Sequence, residues 1–163
     1  MKNRIRSHQL LLCIAFVSLF ATTSKAQGNL IRQQSCISAE ISGKVDSIKN
    51  SILSQGFILV KENSMSMESE YEMPIIVPLN QGTWYHFVFV GEYSSRLYEV
   101  RMFDWNEKQV IYKKNMWGDV DGPIINFSYI PQFSEYHMIK AVQMNKQKKN
   151  LCGYVMMFKK VQG

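Results

Sequence analysis

The chain has little with which to do catalysis. Its 163 residues include three histidines, and nowhere do they form Gly-x-Ser-x-Gly, His-Glu-x-x-His or a phosphate-cradling glycine loop. His86 and His137 fall in strand-like stretches with no neighbouring group to orient a base. No catalytic residue is assigned, although a Ser-His-Asp set assembled from distant strands is recognised by geometry and leaves no spacing to read. Cysteine is equally scarce, at Cys13, Cys36 and Cys152. Two thiols do not complete a zinc site, and a cysteine nucleophile needs a base beside it. No cofactor is expected. Repeats and low-complexity linkers are absent. After Ala21 the apolar runs, such as Phe87 to Val90, are strand-sized, far short of the roughly 18–20 residues that span a bilayer.

The first 26 residues read as a secretory signal peptide. Lys2, Arg4 and Arg6 make a positive start, Leu10 to Ala21 is apolar apart from Ser18, and Ser24-Lys25-Ala26 offers small residues at a cleavage site. Cys13 lies early within the apolar run and follows Leu12, which does not suit lipid attachment. Much of the formal charge of +6 sits in this leader. Without it, fifteen cations face thirteen acids. That balance argues against nucleic acid as a partner, because such proteins keep a basic footprint on the folded domain. The expected mature chain is secreted or periplasmic, carries no membrane-inserted segment, and at 137 residues suits one domain.

Removal of Cys13 leaves an even count. In an oxidising compartment, Cys36 and Cys152 are read first as one disulfide. The competing reading is two separately buried thiols.

Residues 27–35 are polar and expected to be loose. Ile37, Ile41, Val45, Ile48 and Ile52 then recur at spacings of four, four, three and four, one apolar stripe of an amphipathic helix over about 37–55. Ser35 or Ser38 suits its start, and Gly56 its end. From Phe57 the period becomes two. Tyr71, Met73, Ile75, Val77 and Leu79 share a face, and Pro74 and Pro78 place that strand at a sheet edge. Trp84 to Val90 is apolar on both faces except for His86, as in a central strand. Leu97 to Phe103 turns Tyr98, Val100 and Met102 inward. Segments 109–112, 124–130, 136–144 and 151–160 follow, with 145–150 expected as a lysine-rich hairpin tip. About eight strands with turns every 8–14 residues predict an antiparallel β-sandwich or jelly roll with one N-terminal helix, a single domain over 36–163.

Within it run Gly82-Thr83-Trp84-Tyr85-His86-Phe87, a strand closed by Asp104 with Asn106 in its turn, Ile125-Asn126-Phe127, and Ser134-Glu135-Tyr136-His137-Met138-Ile139. From Gly82 to Val142 this order resembles the bacterial pre-peptidase C-terminal domain and related jelly-roll modules of secreted proteins. Glu107 and Glu135 stand where those modules carry glycine. The resemblance implies a β-jelly roll and, because such scaffolds host many roles, no particular activity.

Two loop tryptophans are the ligand-binding candidates. Trp117 lies in a long polar segment, 113–123, and Trp105 at a hairpin tip between Asp104 and Asn106. A loop tryptophan offers a flat apolar face to a sugar or protein; its plainer role is to tuck back on the core. Asp119-x-Asp121-Gly122 resembles a fragment of a calcium loop, but the ion takes 6–8 oxygens and Asp119 and Asp121 supply two carboxylates, so no metal is expected. Met65 and Met67 alternate in a strand, as copper-binding thioethers or as core filler. The first functional reading is an exported binding module for a protein or glycan, using loops at one end of the sandwich. The second is a periplasmic immunity or inhibitor protein that neutralises a toxin or hydrolase. The third is an enzyme assembled from distant strands.

Overall fold

The computed structural model describes residues 35, 36 and 38–161. The proposed leader and Ile37 lie outside them. One helix, α1 (Ala39–Ser54), precedes eight strands: β1 (Phe57–Glu68), β2 (Met73–Leu79), β3 (Tyr85–Val90), β4 (Leu97–Phe103), β5 (Gln109–Met116), β6 (Ile124–Tyr129), β7 (Glu135–Met144) and β8 (Asn150–Lys160). They form two antiparallel sheets of four, ordered β1-β8-β3-β6 (sheet A) and β2-β7-β4-β5 (sheet B). This is the jelly-roll order, in which successive strands cross between sheets except at β4–β5. Residues 145–149 therefore carry the chain from sheet B to sheet A and are not the tip of a hairpin. Likewise β5 runs four residues beyond expectation, which shortens the loop before β6 to residues 117–123.

Alternating side chains from both sheets meet in a dry core. Met65 and Met67 of β1, Phe87 and Phe89 of β3, and Tyr98, Val100 and Met102 of β4 are all buried there. The two methionines thus fill the space between the sheets. Sheet A is covered on its other side as well. Ile41, Val45 and Ile52 of α1 pack on Val88, Val90, Met156 and Phe158, each buried side chain contributing about 1.5–3 kcal/mol. This explains why β3 is apolar on both faces. Among the described residues nothing covers sheet B in this way: Pro74, Ile76 and Pro78 of its edge strand, and Tyr112 and Tyr136, are exposed.

Ser38 caps the helix, its Oγ accepting from Ile41 N at 3.4 Å, and Gly56 leaves it at φ 81°. Cys36 and Cys152 are disulfide-bonded, with Cα atoms 5.8 Å apart, and tie the start of α1 to β8. Among the described residues no helix is long and apolar enough to cross a membrane. At the β4–β5 turn Asp104 Oδ1 accepts from Asn106 N and Lys108 N, each at 2.9 Å, and Glu107 takes φ 60°, a region that favours glycine.

Candidate functional site

The jelly-roll path sends four loops to one end of the sandwich (69–72, 91–96, 117–123 and 145–149) and the rest to the other. Trp117, Asp119 and Asp121 therefore share an end, and Trp105 lies at the opposite one. There it stands largely exposed beside Tyr136, ring centroids 6.4 Å apart. The two tryptophans do not form one surface. Asp119 Oδ2 accepts from Met116 N at 2.6 Å, so this carboxylate closes the turn that starts the loop. Among the described residues no group of three or more His, Cys, Asp or Glu is placed to hold a metal ion.

Trp117 is 73% exposed and does not cap the core. Its N–H donates to Arg96 O at 2.9 Å, which fixes the backbone while the ring stands free. The ring borders a depression of about 550 Å³ lined also by Lys44, Val120, Asp121 and Ile124. A second, of about 580 Å³, is lined by Trp84, His86, Ser128, Ser47, Ser51 and Lys160. The two share Ile48 and Asn126. Together they make one groove between α1 and the edge strand β6, over the part of sheet A that the helix leaves uncovered. At about 3.3 Å per residue the six-residue strands β3 and β6 give it a length of roughly 20 Å. A tryptophan stands at each end.

The floor and walls are largely apolar, and the hydrogen-bonding groups set among them are mostly neutral, with Lys44, Lys160 and Asp121 as the charged ones. Asn126 and Ser128 take the outward positions of β6, and Ser47 and Ser51 lie one turn apart on α1. His86 Nδ1 and Ser128 Oγ share a hydrogen bond of 2.9 Å across the β3–β6 pair. Burial lowers the His86 pKa below 6.5, which favours the neutral ring, one of the neutral polar groups of the lining. Among the described residues no carboxylate bonds this imidazole. Trp84 packs edge-on against Phe57 at 5.6 Å, and Lys160 Nζ lies 4.8 Å from the Phe57 ring centroid and 5.9 Å from that of Trp84. His137, by contrast, is buried between the sheets, its Nε2 3.3 Å from Tyr129 Oη and 3.7 Å from Glu135 Oε1.

A buried polar cluster anchors the rim beside Trp117. Glu92 Oε2 accepts from Cys152 N at 2.8 Å and Oε1 from Ser94 Oγ at 3.0 Å, with Lys148 ion-paired to it. Tyr98 Oη donates to Glu92 O and Ser95 O at 2.7 and 2.9 Å, and burial pushes its phenol up to about 12. Gly91 is required here, since a Cβ would come within 2.6 Å of the Tyr98 ring. Burial alone would raise the Glu92 pKa; Lys148, the Cys152 N–H and Ser94 outweigh it and hold the carboxyl below 4.5. A carboxyl depressed by folding stabilises the fold above its ordinary pKa and loses that contribution as pH falls through the folded value. The urea midpoint should therefore drop below about pH 4.5. Glu62, held low chiefly by Lys49, adds to the same slope. Glu92→Gln should flatten it; an unchanged pH profile would show that the carboxylate is not engaged in solution.

Sequence reasoning reached Trp117 and Asp121 but missed Trp84, His86, Asn126, Ser128 and the helix serines. One signal was present: His86 is the lone polar side chain in a strand apolar on both faces.

No protein-family model and no curated protein matches the chain. Among solved structures, it is similar to the glycosylation-associated Gap123 complex of Streptococcus agalactiae with a TM-score of 0.34 at 14% identity, over 64% of this chain. That match spans 39% of the streptococcal chain. A second is Drosophila melanogaster CENP-C bound to CAL1, at TM-score 0.29 and 10% identity, covering 74% of this chain and 96% of that one. At these scores neither likeness bears on what this chain does.

Proposed function

We propose that this chain is an exported, non-enzymatic binding module that holds an oligosaccharide in the groove between α1 and β6. One observation carries the reading: a groove of roughly 20 Å, in which amide, hydroxyl and imidazole groups alternate with apolar side chains, with an exposed tryptophan at each end. Sugars present hydroxyls along their edges and apolar C–H faces above and below, which match side-chain hydrogen bonds and flat aromatic rings respectively. The leader and the disulfide support export. Among the described residues the His86–Ser128 pair has no third group to orient a catalytic base, which favours binding over hydrolysis.

The test is titration of the protein with an array of soluble oligosaccharides of three to six units. Trp84→Ala and Trp117→Ala should each weaken binding about tenfold or more, the scale of an aromatic anchor. Trp105→Ala, at the opposite end, should leave it unchanged. Loss of binding in Trp105→Ala alone, or no saccharide bound at all, would overturn the reading.

A protein partner, such as a toxin or hydrolase to be neutralised, is the second reading. The uncovered face of sheet B favours it, because Ile76, Tyr112, Met116 and Tyr136 are all exposed there. Capture of such a partner that Tyr112→Glu abolishes and Trp84→Ala does not would select it.

A further inference from the structure

We infer that the bound saccharide is acidic, and that an anionic group on it docks beyond Trp117 against Arg96 and Lys146. The inference rests on the groove reading and deepens it. Trp117 borders a third depression as well, of about 590 Å³, on the side away from the groove. A chain lying in the groove and passing over the indole enters it. Its lining includes Arg96 and Lys146 and no acid; beside Trp117 and Met116, the other members, Ser94, Asn145 and Gln147, are neutral donors and acceptors.

Charge pairing singles out these two cations. The neighbouring lysines are engaged, Lys148 with Glu92 and Lys149 with Glu68 at 3.0 Å. Arg96 and Lys146 have no ion-pair partner among the described residues, and both are exposed. The one nearby buried carboxylate, Glu92, is neutralised by Lys148, and Asp119 is turned to the Met116 N–H. Along the whole path the lining carries four cations (Lys160, Lys44, Arg96 and Lys146) and one acid, Asp121. Along this track cations outnumber acids, which favours an anionic ligand.

The backbone holds this subsite still. Arg96 N donates to Met144 O at 2.8 Å, and Trp117 N to Arg96 O. Asn145 Nδ2 donates to Ser94 O at 2.8 Å, and Asn145 N to Ser69 Oγ. The guanidinium and ammonium thus project from loops fastened to one another, a preorganised arrangement for a carboxylate or sulfate.

The experiment uses an array of matched pairs: uronic-acid or sulfated oligosaccharides beside the same backbones carboxyl-reduced or desulfated. Acidic members should bind about ten- to a hundredfold tighter than their neutral partners, with a preference that shrinks as salt rises. The double variant Arg96→Gln/Lys146→Gln should erase the preference and leave affinity for the neutral members unchanged. Trp84→Ala should weaken both. Equal binding within every pair, or a preference that survives the double variant, overturns this inference and leaves the groove reading standing. Absence of binding to any member overturns both.

Discussion

Reduction of the Cys36–Cys152 bridge should lower the free energy of unfolding by about 4–5 kcal/mol. The two cysteines are 116 residues apart in sequence. A cross-link over a loop of that size removes much of the freedom of the unfolded chain, and that model gives the figure. A domain of this size has about 5–15 kcal/mol in all, so the reduced protein should be marginal at 37 °C. The effect has a local part too. Cys36 lies three residues before the start of α1, and Cys152 sits where Glu92 and Gln143 bond its backbone. Reduction frees the start of the helix from sheet A and loosens one wall of the groove. Urea unfolding with and without reductant, alongside Cys36→Ala/Cys152→Ala, measures the sum. Coincident curves, or two titratable thiols in the native protein, would show that the bridge is not formed.

The strands were legible because one rule governs them. In β2 the buried face falls on alternate residues, as its apolar pattern implies, and in β4 Tyr98, Val100 and Met102 follow the same rule although Glu99 between them is buried as well. Pro74 and Pro78 marked the edge, and the helix stripe marked a face that needed cover. Strand β7 resists the same rule. Its outward set, Tyr136, Met138, Lys140, Val142 and Met144, reads no more polar than its inward set, Glu135, His137, Ile139, Ala141 and Gln143. Only pairing resolves it: Ile139, Ala141 and Gln143 lie opposite Met102, Val100 and Tyr98, which face the core. The groove was illegible for a related reason. Ser47, Asn126 and Ser128 occupy positions that sequence assigns to solvent, and solvent is what they face. That they converge is a property of the jelly-roll path, which sets α1 across sheet A and leaves β6 open. The same path separates Trp105 from Trp117, which sequence had no means of placing on opposite ends.

Gln143→Leu should cost about 3–5 kcal/mol, although it puts an apolar side chain of similar size into the core. The Gln143 side chain is fully buried and fully used. Its Oε1 accepts from Glu92 N at 2.9 Å and Ser95 Oγ at 3.2 Å; its Nε2 donates to Cys152 O at 2.9 Å and reaches Met67 Sδ at 3.2 Å. Two backbone groups and a hydroxyl lose their partner at once, and each buried group left unpaired costs about 1–3 kcal/mol. Leucine gains little hydrophobic energy in return, since the site is already closed. The surroundings of the amide are tightly packed: at Gly153 an added Cβ would come within 2.6 Å of Met67 Sδ, 3.1 Å of Phe89 and 3.3 Å of Gln143 Nε2. A fall in melting temperature of roughly 10–15 °C is expected. A loss under about 1 kcal/mol would mean that water takes over the bonds. The amide also joins Glu92 to Cys152, and Arg96 N bonds the carbonyl of Met144 next to it. Gln143→Leu should therefore weaken ligand binding at temperatures where the variant is still folded, while Val142→Ala, on the outer face of the same strand, should destabilise without that effect. Equal loss of affinity in both would uncouple the buried cluster from the rim it supports.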